Sequence, residues 1–155
     1  MSLDLLQVGQ QAPQFSLLNH EGEKISLNDF ENKGIVLWFF PKANTPGWTV
    51  EGKGFREEFE EYKKLGYEII GVSGDIPSKQ KKFVEKFDFQ FTMLCDESHD
   101  MLKDYKVWAL KKFMGREYMG ILRVTYIIDN TGTIEKIYDS VKTKTHAQDI
   151  LSDIA

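Results

Sequence analysis

Residues 34–40 form an unbroken apolar run with β-branched and aromatic members, the signature of a strand buried on both faces. Pro41 ends it. A helix is predicted from Thr45, which suits an N-cap, with Pro46 at the first helical position. Phe55, Phe59 and Tyr62 then fall at i, i+4 and i+7, an apolar stripe for packing on a sheet, and Gly66 stands where that helix would close. Residues 68–73 read as the next strand. Ser78 is expected to cap a helix to about Phe87, with Phe83, Val84 and Phe87 turned inward. Residues 91–95 are strand-like and residues 96–105 a short helix. Nearer the start, residues 14–18 read as a short strand before the turn-prone residues 20–23. Residues 124–129 and 133–138 flank Asn130-Thr131-Gly132, which predicts a hairpin, and residues 145–154 read as a helix capped near Thr145. Strands alternating with helices predict an α/β sandwich, and with no repeat, low-complexity tract or linker the expectation is one domain over residues 1–155.

Composition narrows the function. The chain has 155 residues, 41% hydrophobic and 28% charged, as expected of a globular protein with a real core. A net charge of -4 argues against nucleic acid as a main partner, because phosphate binding calls for a basic surface. No apolar run approaches a membrane span, and the N-terminus lacks the basic-then-apolar pattern of a secretory signal, so a cytoplasmic address is expected. Cys95 is the one cysteine, which excludes an intrachain disulfide. It precedes Asp96 and Glu97, acids that would raise its pKa, so a structural cysteine is expected rather than a nucleophile. His20, His99 and His146 are scattered, and Cys95 with His99 makes no metal site; neither metal nor cofactor is expected.

The segment from Trp38 to Phe55 carries the most specific signal. Pro41, Thr45, Thr49 and Glu51 stand at the spacing of the active-site segment of peroxiredoxins, in which an apolar strand leads to Pro-x-x-x-Thr-x-x-Cys with the Cys in the first turn of a helix. The chain resembles that family over nearly its whole length from Val8, and the segments Ile70 to Asp75, Lys82-Phe83 and Gly115 to Arg123 occur in order. The last is close to the Q-type branch, the bacterioferritin comigratory proteins. The resemblance implies a thioredoxin-like fold, a peroxiredoxin-type α/β sandwich around a central mixed sheet. It implies a thiol-dependent hydroperoxide reductase, antioxidant in effect, with hydroperoxide and a thioredoxin-like reductant as partners, working as a monomer or weak homodimer. Carried over by position, Thr45 would hold the peroxide, Pro41 would screen the sulfur, Arg123 would place a guanidinium beside it, and Glu51 would orient that arginine through a charge-assisted hydrogen bond.

The nucleophile is missing. Trp48 occupies the peroxidatic Cys position and Lys53 the position of the resolving Cys. Indole has a single N–H donor and nothing that accepts an oxygen atom from peroxide. Thr45 could then be only an N-cap, Pro41 a strand terminator, Glu51 a first-turn acid complementing the helix dipole, Arg123 an ion-pair partner for Glu51, Trp48 a packing residue and Lys53 a solvated one. Gly52 and Gly54, each costing about 1 kcal/mol relative to Ala inside a helix, predict a labile helix start. Two readings follow: a scaffold that has lost peroxidase activity and serves in binding or structure, or an active hydroperoxide reductase whose native residue at position 48 is Cys or selenocysteine, its UGA codon read as tryptophan.

Overall fold

The apolar run 34–40 becomes β3 (Gly34–Phe39), every residue of it buried, in a computed structural model that describes residues 5–43, 46–139 and 144–154. Its side chains alternate between two cores. Ile35, Leu37 and Phe39 point to one face, and Val36 and Trp38, with Phe40 just beyond the strand, to the other. A strand covered on both faces has no polar side to show, which is why the run carries no alternation.

Among the described residues, eight further strands, five α-helices and a short 3-10 helix at Leu27–Phe30 surround it. The strands before and after it are β1 (Ser16–Asn19), β2 (Lys24–Ser26), β4 (Tyr67–Ser73), β5 (Thr92–Cys95), β6 (Trp108–Phe113), β7 (Arg116–Ile121), β8 (Thr125–Ile128) and β9 (Ile134–Tyr138). The helices are α1 (Pro46–Glu57), α2 (Phe59–Lys64), α3 (Pro77–Phe87), α4 (Asp100–Asp104) and α5 (His146–Ile154). Seven strands form one mixed sheet in the order β2-β1-β5-β4-β3-β8-β9, and β6 with β7 forms a separate hairpin. β3 is parallel to β4 and antiparallel to β8, so it lies inside the sheet and is buried on both faces as predicted. Phe55, Tyr62, Phe83 and Ile150 pack α1, α2, α3 and α5 on the face of Val36 and Trp38. Met101, Leu102 and Tyr105, with Leu6 and Phe15, cover the opposite face.

Several boundaries differ from the pattern reading. The stripe Phe55, Phe59, Tyr62 spans two helices, because the chain leaves helical geometry at Glu58 (φ -96°, ψ 6°). Gly66 does close the second, at φ +83°. Ser78 does not cap α3; the N-cap is Ile76 and Pro77 takes the first turn, where its missing N–H is harmless. The helix expected over residues 96–105 shrinks to Asp100–Asp104, since His99 sits in the left-handed region at φ +67° and the Asp96 carboxylate instead accepts from Leu102 N at 2.8 Å. β2 and the β6–β7 hairpin were not read from the pattern: the first is three residues long, and the second alternates weakly with charged positions on both strands.

The two glycines of α1 have a packing reason. A Cβ on Gly52 would lie 2.6 Å from the Phe89 ring, while one on Gly54 would lie 3.5 Å from Ala147 Cβ. The helix therefore meets Phe89 as bare backbone, and Phe55 meets Trp38 at a 5.3 Å ring separation.

Candidate active site

The site is assembled where β3 ends and α1 begins. Pro41 is half-buried at the strand exit, and Trp48 lies near the start of α1, the helix that follows. Thr45, expected as N-cap and peroxide contact, lies outside the described residues. The segment after Pro41 is tied down from the neighbouring strand: Ala43 N donates to Asp75 Oδ2 at 2.8 Å, and Ser73 Oγ donates to the same oxygen at 2.7 Å. Gln80, fully buried on α3, donates from Nε2 to Ser73 Oγ at 3.0 Å and to Leu94 O at 2.9 Å. Asp75 closes the segment Ile70 to Asp75 that carries the family resemblance, where no role falls to it by position. Its position just past an apolar strand, next to Gly74, was the available signal that it organises a strand end. A cleft of about 510 Å³ opens beside this loop, lined by Lys42, Ala43, Asp75, Lys79, Lys82 and Phe83. A larger one, about 570 Å³, lies at the opposite end of β3 near Lys33 and Thr131, away from α1's start.

Glu51 departs from the simplest expectation. It does not fall in the first turn of α1, and its side chain is 1% exposed. A carboxylate there cannot act as a solvated complement to the helix dipole. Burial pushes its pKa up to about 8, against an opposing pull from the Arg123 guanidinium. Glu51 is thus mostly protonated at neutral pH, and a charge-assisted bond to Arg123 belongs to the ionised form. Arg123 itself is exposed, just after β7. Lys53 is exposed on α1, its ammonium 5.2 Å from the centre of the Phe87 ring, as a solvated residue with a stem to cover would be.

His146, which the sequence left among scattered histidines, comes to Glu51. Its Nε2 is 3.6 Å from Glu51 Oε1 and hydrogen-bonded to Thr125 Oγ1 at 2.8 Å. Its ring meets Phe55 and Tyr138 edge-on at 5.8 and 5.5 Å. Burial drops its pKa to about 4, so the imidazole is neutral. No sequence signal could have joined residues 51, 125 and 146; they meet because α1 and α5 cover the same face of the sheet.

Cys95 does not join this group. It is 5% exposed on β5, and its pKa is pushed up to about 12, chiefly by burial and then by Glu97 and Asp75. Asp96, expected to contribute, instead turns its carboxylate to Leu102 N.

Comparison with known proteins accords with this architecture. The AhpC/TSA family profile matches residues 8–137. Peroxiredoxin Bcp of Escherichia coli strain K12 is 42% identical over 147 residues, covering 95% of this chain and 94% of that protein. Peroxiredoxin Bcp of Bacillus subtilis strain 168 is 42% identical over 149 residues, covering 96% and 95%. Among solved structures, a Xylella fastidiosa PrxQ mutant superposes with a TM-score of 0.90 at 27% identity, covering 96% of this chain and 95% of that one. Peroxidoxin BcpB of Mycobacterium tuberculosis gives 0.85 at 27%, covering 96% of each. The fold is thioredoxin-like, with its central mixed sheet flanked by helices as in these neighbours. By sequence and by structure, the chain belongs to the AhpC/TSA family, on its peroxiredoxin Bcp/PrxQ branch.

Proposed function

We propose that the protein, with Trp48 in place, is a peroxiredoxin scaffold without thiol peroxidase activity, acting in binding or structure. The observation that carries this reading is Trp48 near the start of α1, where the family's spacing calls for the peroxidatic Cys. Peroxide reduction begins with a thiolate, and removing it removes the covalent route rather than one stabilising contact. Cys95 offers no substitute: it is buried, and at pKa about 12 it is a thiol at neutral pH. Lys53 leaves the resolving position without sulfur. Glu51 and Arg123 still stand at the clamp positions of the family pattern, and the Arg123 charge acts on the buried Glu51 carboxyl.

A second reading is favoured by how much of the family pattern surrounds this one replacement: the native residue at position 48 is Cys or selenocysteine, and the natural protein reduces hydroperoxides with a thioredoxin-like reductant. Chains of the Bcp group at 42% identity over nearly full length support that activity class. Two measurements decide. The purified protein is assayed for hydrogen peroxide turnover coupled to thioredoxin, with Cys95→Ala alongside; no turnover above background is expected, and robust turnover overturns the first reading. The codon at position 48 in the native gene is then read: UGG supports the inactive scaffold, and UGA or a Cys codon supports the reductase.

A further inference from the structure

The buried histidine beside the clamp has no part in the family pattern described above. His146 and Glu51 are 3% and 1% exposed at the side chain, from helices far apart in sequence, with 3.6 Å between Nε2 and Oε1. Thr125, on the strand paired with β3 opposite Trp38, holds the same nitrogen at 2.8 Å. The other Glu51 oxygen, Oε2, has no hydrogen-bond partner among the described residues. A buried carboxyl with one orphan oxygen has its position and ionisation set by its few polar neighbours.

We propose that His146 is a positioning residue for Glu51: with its Nε2 held by Thr125, it fixes the carboxyl on which the Arg123 charge acts, so that α5 and β8 set the polarity on the buried face of α1. This rests on the reading of Glu51 and Arg123 as the surviving clamp. The remaining groups acting on the pair are Arg123 toward Glu51 and Asp149 toward His146. Phe55 and Tyr138 supply only ring edges. On α2, Tyr62 donates its hydroxyl to Ala147 O at 2.5 Å. His146→Phe keeps the ring and its edge contacts and removes the nitrogen; His146→Gln restores a nitrogen.

The test follows the Glu51 carboxyl carbon by NMR across pH in the full chain. In His146→Phe the midpoint is expected to move by about one pH unit or more, roughly a tenfold change in the ionisation constant: upward where Nε2 carries its proton toward Oε1, downward where Nε2 accepts from the protonated carboxyl. His146→Gln is expected to recover at least half of that displacement. Equal displacement in both variants, or none in either, overturns the proposal, since ring size and packing would then govern. If His146→Phe does not fold, Thr125→Val, which frees Nε2 at nearly constant volume, must move the midpoint; an unmoved midpoint overturns it. A separate arm tests the clamp: in Trp48→Cys, a thiol that peroxide oxidises no faster than free cysteine removes the clamp reading, while the His146 assignment still stands or falls on the titration.

Discussion

Two buried acids that burial holds toward their protonated forms, Glu51 and Cys95, carry the residue-scale predictions. Glu51 has a folded pKa of about 8 against an ordinary 4.5. The folded state therefore favours the protonated form. Its contribution to stability is fully present below about 4.5 and is lost as pH rises through 8. His146, at about 4 against 6.5, favours the neutral form; its contribution is fully present above 6.5 and is lost as pH falls through 4. Glu51→Gln removes the first dependence only. Its Tm relative to the parent is expected to be several degrees more favourable at pH 8 than at pH 5, measured by calorimetry; equal differences at both pH values would refute the buried protonated carboxyl. Cys95 makes the complementary case. With 5% exposure and a pKa of about 12, it should react with a disulfide reagent at pH 8 roughly a hundredfold or more slower in the folded protein than in denaturant. Comparable rates would mean that β5 opens readily and that Cys95 is available for chemistry.

At the scale of the element, α1 shows how two identical residues earn different explanations. Propensity alone assigns Gly52 and Gly54 the same cost. Packing separates them: a Cβ at position 52 would lie 2.6 Å from the Phe89 ring, and at 54 it would rest in ordinary contact, 3.5 Å from Ala147. Phe89 cannot retreat cheaply, because it lies 5.0 Å from Phe83 and 4.9 Å from Phe91 by ring centres. Gly52→Ala is expected to destabilise by about 1–3 kcal/mol through overpacking. Gly54→Ala should be neutral or stabilising by up to about 1 kcal/mol, the helix-propensity gain. Urea melts of both variants check this, and a loss at 54 equal to that at 52 would mean that α1 and α5 are packed more tightly than their 3.5 Å spacing implies.

For the whole molecule, the question is whether the scaffold still presents a peroxide site when a thiol is returned to it. Trp48→Cys is expected to undergo oxidation to sulfenic acid by hydrogen peroxide at least tenfold faster than a free thiol, with Arg123→Ala on that background slowing it; the electrostatic arrangement is the part still encoded. Catalytic turnover should stay poor because Lys53 supplies no resolving sulfur. Mass measurement of the oxidised residue after rapid mixing provides the check. Much of this frame was legible along the chain. The run 34–40 declared a doubly buried strand by its lack of polar positions, Asn130-Thr131-Gly132 declared its hairpin by turn chemistry, and the segment from Pro41 to Glu51 declared its family by spacing, all of which are local properties that a sequence determines by itself. Tertiary structure decided the rest. The burial of Glu51, the arrival of His146 and Thr125 beside it, the need for Gly52 beneath Phe89 and the tie from Asp75 to Ala43 all join residues distant in sequence. Desolvation and close approach depend on what else occupies the space, and that is fixed only when helices from separate parts of the chain settle on one face of the sheet.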